Sequence, residues 1–375
     1  MSSGMKLRSE CELLLRRFGV PAVGLARIGP AGVESLGCLG ERKQGSGIAV
    51  TESDHWHIGS CTKSMTATLM ARLVERGELE WDAPIAPMFV AGGVEVHPDF
   101  AGLTLRHLLS HRSGMPTDPS ASEVDASFHS TEPLYALRAA LAAEAMMQGP
   151  TQKPGEAFHY SNLGYVVAGA IAEGVTGTEW EELMRREVFS PLGLASAGFG
   201  APGKEAGGAL ARLLGRESIT QPWGHQAGTR KDAFIELPPH DDMLADSAPV
   251  MGPAGTVHLS LPDLASYVAF HVSRGATAPG YLRPETVDTL HAPLPGEDYA
   301  LGWFTMTAEA SGIGKSVIWH EGSNNAWYSA MLIVPDVGHA WTFVCNAYLD
   351  SLQDQQTGLL IALGELDGNW LYPTA

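Results

Sequence analysis

The 375-residue sequence predicts a mixed α/β (α+β) fold, an antiparallel sheet flanked by helices and interrupted by a mostly helical insertion. Three observations carry this reading. The N-terminal stretch reads as helix, two strands and helix. Residues from about 85 to 195 read as helices joined by long loops. The C-terminal third returns to short strand-like runs separated by tight turns, which is the pattern of antiparallel pairing. Strands at both ends and helices between them give a discontinuous architecture. Residues 1–84 and 250–375 are expected to form one α/β domain, and residues 85–249 a mostly helical domain with long loops. Clefts form at such junctions.

In chain order, Leu7 to Phe18 has the spacing of a short amphipathic helix. "VPAVGLARI" and "GVESLGCLGERK" read as strands, with Gly29-Pro30 marking the turn between them. Met65, Leu69, Met70, Leu73 and Val74 repeat at helical spacing after Gly59, so a helix is expected to begin near Ser60 and to stop at Gly77. Leu105, Leu108 and Leu109 precede the Gly-Pro-punctuated turn "SHRSGMP". Leu134, Leu137 and Leu141 mark one helix, and Leu163, Val166, Val167, Ala170 and Ile171 another. Thr178 and Glu181 have capping-box spacing ahead of a third. From Phe199 to Pro253 the chain is irregular and rich in Gly, Pro and Asp, a length that suits a functional loop region. A capped helix is expected at Ser260. The strand-like runs "YALGWFTM", "SVIWHEG", "AWYSAMLIV" and "AWTFVCNAY" follow, and a last helix is expected over 351–366. No internal repeat is present.

Composition narrows the function. The net charge is −18, from 24 basic and 42 acidic residues, which argues against nucleic acid and anionic membrane surfaces as partners. No apolar run is long enough to span a bilayer. Cys11, Cys38, Cys61 and Cys345 form no C-x-x-C pair and read as free thiols of a reducing compartment. The N-terminus lacks a signal-peptide core of the usual length. A cytoplasmic location is therefore expected, a trimmed leader aside.

Three short segments carry chemistry. Ser60 and Lys63 are three apart on one helical turn, so a hydroxyl and an amine meet where free N–H groups favour negative charge. A serine nucleophile needs a base and oxyanion donors. Taken alone, the pair reads better as a solvent-facing pair on a surface helix, and the same spacing recurs at Ser3 and Lys6 in what reads as a disordered tail. Tyr160 and Asn162 lie on the loop entering a helix. A tyrosine can relay protons and an asparagine can donate and accept, although a core aromatic followed by a helix cap has the same pattern. His320 and Gly322 end a strand, where Gly322 admits close approach and the Ser323 N–H can be a second oxyanion donor. A plain hairpin turning at Asn324 and Asn325 is compatible with this.

Ser60-x-x-Lys63, Tyr160-x-Asn162 and His320-x-Gly322 together resemble the three signatures of the serine β-lactamase and penicillin-binding-protein superfamily. The similarity is greatest to class C β-lactamases and family VIII carboxylesterases. "LLSHRSGMP", "KPGEAFHYSNLGYVVAGAIAE", "PLGL", "GPAGTVHLSLPDLASYV" and "ALGW" resemble that branch as well, so the likeness runs from about residue 20 to about 350. The resemblance implies a β-lactamase-like fold and a serine hydrolase acting through an acyl-enzyme on small carboxylic esters or amides, with no cofactor. It implies Ser60 as nucleophile, Tyr160 as general base on Ser60 and later on the deacylating water, and Lys63 either taking the Ser60 proton directly or lowering the Tyr160 pKa, the two being a coupled pair. Asn162, His320, Gly322 and Ser323 would bind substrate, with the Ser60 and Ser323 N–H groups as oxyanion hole and Asn162 orienting Lys63. Most β-lactamases and D,D-peptidases of the superfamily carry lysine where His320 stands, and a histidine is mostly neutral at pH 7. Weak β-lactam turnover and better turnover of small acyl esters are therefore expected.

Other readings stay open. The same fold serves β-lactamases and D-aminoacyl peptidases or acyltransferases, and a non-catalytic penicillin-binding-like sensor could keep the same residues. A metal-dependent hydrolase is suggested by His55-x-His57 and by "HDD" at 240–242, although a satisfied structural histidine is the better reading and no metal site is expected. The absence of G-x-S-x-G argues against an α/β-hydrolase elbow. Trp303, Trp319, Trp327 and Trp341 are expected on sheet faces, one or two of them beside an acyl pocket. Glu321 alternates with His320 and should face the other way. The acyl group, the leaving group and the oligomeric state are not encoded in any motif.

Overall fold

Leu7, Cys11, Leu14 and Phe18 line one side of α1 (Ser3–Phe18) and pack on a sheet. The first two strands are β1 (Ala22–Gly29) and β2 (Gly32–Gly40), joined by a tight turn. The computed structural model describes residues 3–203, 218–228, 234–239, 242–311 and 313–348. Within them the chain continues through β3 (His55–His57), α2 (Thr62–Glu75), α3 (Ala86–Ala91), α4 (Leu105–Leu109), α5 (Ala121–His129), α6 (Leu134–Gln148), α7 (Asn162–Thr176) and α8 (Trp180–Met184). Then come β4 (Gly198–Phe199), β5 (Gly224–Ala227), β6 (Phe234–Leu237) and β7 (Val257–Ser260). A helix over Leu261–Val272 and another over Pro284–His291 follow. The chain returns to strands as β8 (Phe304–Met306), β9 (Val317–Ser323), β10 (Tyr328–Val334) and β11 (His339–Cys345).

Six strands form one antiparallel sheet in the order β2-β1-β11-β10-β9-β8. Alternation along β1 decides what each face meets. Val23 and Leu25 turn toward α1 with Tyr328, Leu332 and Phe343. Ala22, Ala26 and Ile28 turn the other way, with Met331, Ile333 and Val344. That second face carries the Leu261–Val272 helix and α2, and its apolar cluster continues without a break into α4, α6 and α7. A helix buried on all sides needs small and apolar residues around its whole circumference. α2 has them: every residue from Thr62 to Ala71 is buried.

Several sequence expectations need correction. Ser3 and Lys6 lie in the first turn of α1, not in a tail. Ser60 precedes α2, in a 3₁₀ turn over Gly59–Cys61. The spacing of Thr178 and Glu181 does not make a capping box: Glu179 takes the cap position, and Glu181 instead joins Glu173 in binding the buried Arg138 guanidinium at 2.6–3.2 Å. A buried cation requires that pairing, which outweighs a cap. "YALGWFTM" supplies only the three strand residues of β8. Gly302 (φ +81°) turns the chain there against the backbone of Lys63 and Ser64, so closely that a Cβ would lie 2.9 Å from the Lys63 carbonyl oxygen. The irregular 199–253 stretch contains the β5–β6 hairpin. The helix expected over 351–366 lies outside the described residues. All four cysteines are free thiols. No helix among the described residues is long and apolar enough to cross a membrane.

Candidate active site

The site begins with two backbones in contact. Gly59 (φ +49°) lies two residues after β3 and opens the 3₁₀ turn that carries Ser60. Gly322 lies opposite, near the end of β9. A Cβ on Gly322 would stand 2.5 Å from the Ser60 nitrogen, and one on Gly59 would overlap the Ser323 nitrogen. Only two glycines allow this approach, and it brings the Ser60 and Ser323 N–H groups beside each other. β8 pairs with β9 only as far as Trp319, so His320 to Ser323 form an edge on that side among the described residues. The Ser323 hydroxyl is occupied elsewhere, donating to the Trp327 carbonyl at 2.7 Å.

Lys63 follows Ser60 by one turn and is fully buried. Its Nζ lies 3.0 Å from Ser60 Oγ and donates to the Ala254 carbonyl at 2.7 Å. Burial pushes the amine down from 10.5 to about 7, with Asp118 opposing. Tyr160 lines one cavity with Ser60, its phenol is within electrostatic reach of the Ser60 side chain, and Lys63 Nζ sits 4.9 Å from the centre of its ring. Burial raises the Tyr160 phenol well above its ordinary value. At neutral pH the phenol therefore keeps its proton while Lys63 can give one up.

Asn162 is the first residue of α7, behind the Ser161 cap. Its amide donates to Asp118 Oδ1 at 2.7 Å, so the interaction seen is with Asp118 where one with Lys63 was expected. His320 is buried. Its Nδ1 donates to the Glu321 carbonyl at 2.6 Å, and its Nε2 accepts from the Tyr299 hydroxyl at 3.0 Å. Burial, with the Lys63 charge nearby, pushes it down to about 3, so the ring is neutral. Glu321 faces the α1 side, where the Tyr328 hydroxyl donates to it at 2.7 Å.

Two cavities meet at Ser60, with Ser323 and Asn325 lining both. The larger, about 600 Å³, also holds Asp118, Asp125, Phe128, Asn162 and Asp246. The smaller, about 390 Å³, holds Tyr160, Phe304, His320, Glu321, Tyr328 and Tyr348. Among the described residues neither has a Lys, Arg or Trp in its lining, so the tryptophans expected beside an acyl pocket lie elsewhere: Trp303 and Trp341 in the cores, Trp327 beside His57. His57 is engaged on both nitrogens. Nδ1 accepts from the Gly59 N–H at 3.1 Å and Nε2 donates to Asp246 at 3.1 Å, which braces the nucleophile turn. His55 stacks on His258. No group of three His, Cys, Asp or Glu suited to a metal occurs among the described residues. His240 and Asp241 lie outside them.

The sequence did not single out Asp118, Asp246, the Ala254 carbonyl or Tyr299. Ala254 stands in "GPAGTVHLS", a stretch already notable for its likeness to the family, but nothing in a backbone carbonyl's sequence announces its partner.

Residues 20–364 match the family model described as Beta-lactamase. Penicillin-binding protein 4 of Amycolatopsis lactamdurans is 27% identical over 345 residues, covering 89% of this chain and 83% of that protein. The unguisins hydrolase ungD' of Aspergillus campestris is 25% identical over 317 residues, 80% of this chain. The chain spans only about half (54%) of that relative's length. Among solved structures, the D-amino acid amidase of Ochrobactrum anthropi SV3 shares the fold with a TM-score of 0.68 at 21% identity, covering 96% of this chain and 98% of that one.

Proposed function

The chain belongs to the Beta-lactamase family, and from that premise we propose that it is a serine hydrolase that cleaves small carboxylic esters or amides through an acyl-enzyme on Ser60. The observation that carries this reading is the buried Lys63 amine, 3.0 Å from Ser60 Oγ with its pKa near neutrality. A general base works best when its pKa lies near the working pH.

In the acylation step the neutral Lys63 amine takes the Ser60 proton as Oγ bonds to the substrate carbonyl carbon. The negative charge moves to the carbonyl oxygen, held by the Ser60 and Ser323 N–H groups. When the carbonyl re-forms, the bond to the leaving oxygen or nitrogen breaks. That atom takes the proton from Lys63, either directly or through Tyr160, which lines the same cavity as Ser60. Water then repeats the sequence in reverse and frees Ser60. Lys63 is the proton store and Tyr160 the relay, two members of one coupled system.

Charge favours neutral or cationic substrates over anionic ones. His320 is neutral, no Lys or Arg is among the described lining residues, and Asp118, Asp125, Asp246 and Glu321 are. A substrate carboxylate, as in penicillins and cephalosporins, finds no fixed cation there. The relatives include proteins named as hydrolases, which supports hydrolysis over binding alone.

A kcat/KM panel of p-nitrophenyl butyrate, D-amino-acid amides, penicillins and cephalosporins tests the reading, with Ser60→Ala as control. Ester turnover lost in Ser60→Ala and exceeding β-lactam turnover is expected. Faster β-lactam than ester hydrolysis would overturn the preference, and ester hydrolysis surviving in Ser60→Ala would overturn the mechanism.

A further inference from the structure

One residue holds Tyr160 from both sides. The His111 carbonyl accepts from the His159 N–H at 2.7 Å, and His111 Nδ1 accepts from the Ser161 N–H at 3.0 Å. The imidazole centre lies 4.1 Å from the centre of the Tyr160 ring. The amide N–H groups of the residues on either side of the tyrosine, and the face of its ring, thus all meet His111. The segment after it extends the cradle: the Pro116 carbonyl accepts from Ser161 Oγ at 2.6 Å and the Thr117 carbonyl from the Asn162 N–H at 2.6 Å.

His111 keeps this place under two unfavourable conditions. Its φ is +57°, a left-handed region that is unfavourable for a non-glycine residue. Its Nε2 is buried and has no hydrogen-bond partner among the described residues, while the ring is enclosed by Tyr160, Tyr165, Tyr299 and Phe158. Because Nδ1 accepts, Nε2 carries the proton and the ring is neutral. Burial and the neighbouring Lys63 push its pKa well below the ordinary value, in keeping with that tautomer. Glycine would relieve the strained φ and leucine would fill the space, but neither offers an acceptor to Ser161. Strain and an unpartnered donor at one residue beside reacting groups are typical of a functional constraint.

We propose that His111 is a positioning residue for the reaction: its carbonyl, its Nδ1 and its ring face fix the Tyr160 hydroxyl against Ser60, and it touches no substrate. This rests on the reading that Ser60 is acylated with Tyr160 in the proton path. The role needs an acceptor at the Nδ1 position and no charge. Asparagine places its Oδ1 near that position and tolerates the left-handed backbone.

The test is a double-mutant cycle. His111→Ala and His111→Asn are made with Tyr160 intact and with Tyr160→Phe. Acylation is read as the burst of p-nitrophenol from p-nitrophenyl butyrate, alongside KM. His111→Ala should slow acylation about 100-fold, the scale of an ångström's misplacement, with KM within about threefold. His111→Asn should recover to within about tenfold of wild type. In the Tyr160→Phe background, His111→Ala should cost less than about threefold, because its target is gone. Should His111→Ala not fold, His111→Gln takes its place with the same expectation, since its amide reaches past the Nδ1 position. Wild-type acylation in His111→Ala, an equal loss in the Tyr160→Phe background, or Asn no better than Ala overturns the proposal. A wild-type protein in which acid quench during turnover traps no acyl group on Ser60 overturns the acyl-enzyme reading itself.

Discussion

Replacing Lys63 by methionine should make the protein more stable and nearly inactive. The lysine pKa falls from 10.5 to about 7 on folding, a difference of 10.5 − 7, or about 3.5 units. At about 1.4 kcal/mol per unit this is about 5 kcal/mol against burying the ammonium. Below about pH 7 both folded and unfolded chains hold the proton, and the whole penalty is present. Between 7 and 10.5 only the unfolded chain holds it, so unfolding takes up a proton and stability rises with pH. Methionine has a similar stem and no charge. It leaves the Ala254 carbonyl without the 2.7 Å bond from Nζ, which costs about 1–3 kcal/mol. The net gain at pH 7 is about 2–4 kcal/mol. With about 2.1 cal/mol/K per residue, that is a rise of about 3–5 °C in Tm for a chain of 375 residues. At pH 10 less than about 1 kcal/mol of the charge penalty remains while the carbonyl cost persists, so the gain should vanish or turn into a small loss. Loss of the base should slow acylation by about 10²–10⁴. Thermal melts at pH 7 and pH 10 and the p-nitrophenyl butyrate burst are the assays. A variant that melts lower at both pH values, or that acylates within tenfold of wild type, would refute the assignment of Lys63 as a buried, near-neutral base.

The remaining expectations are briefer. Acylation by the wild type should rise with pH through about 7 as Lys63 loses its proton, and a rate constant from pH 5.5 to 8.5 would contradict that. Gly322→Ala sets a methyl 2.5 Å from the Ser60 nitrogen and should slow acylation by about 10²–10³ through the oxyanion donors; an undiminished rate would remove Ser60 N–H from that role. His258 and His291 are pushed down to about 4 by burial, and His320 to about 3. Their folded pKa values lie below the unfolded 6.5, so the stability they contribute is present above about 6.5 and lost as pH falls through 4 to 3. Urea midpoints should rise from pH 7 to 8 as folded Lys63 loses its proton, and decline below 6 as the histidines charge. A midpoint unchanged at pH 4.5 would show that these rings do not stay neutral.

Much of the fold was legible because its signals are local. The helical spacing of Leu163 to Ile171 and the strand runs of β9, β10 and β11 report burial that each segment settles largely alone. Where distant partners decide, the reading failed. Glu181 looks like the end of a capping box until Arg138, 43 positions earlier, is seen buried beneath it. Gly302 looks like an ordinary residue within a strand until α2 is packed on it. At the candidate site, Ser60, Lys63, Tyr160, His320 and Gly322 were picked out because their residue types and spacing suit the chemistry, and the structure brings them together. Asp118 and His111 were not, since an aspartate in a loop and a histidine in a turn carry no spacing that marks them. Asn162 was noticed for its type, and only the fold reveals that its amide meets Asp118. The exchange of lysine for His320 was visible in sequence, but its neutrality depends on Tyr299 and the Glu321 carbonyl holding both ring nitrogens.

The most direct measurement is the mass of the protein during turnover. The protein is quenched in acid milliseconds after mixing with p-nitrophenyl butyrate, digested and mapped by tandem mass spectrometry. A butyryl group on the peptide that contains Ser60, assigned to the serine and absent from Ser60→Ala, is the expected result. Turnover with no acylated peptide, or with the acyl group on another residue, would contradict the catalytic role of Ser60 and with it the reading of the site.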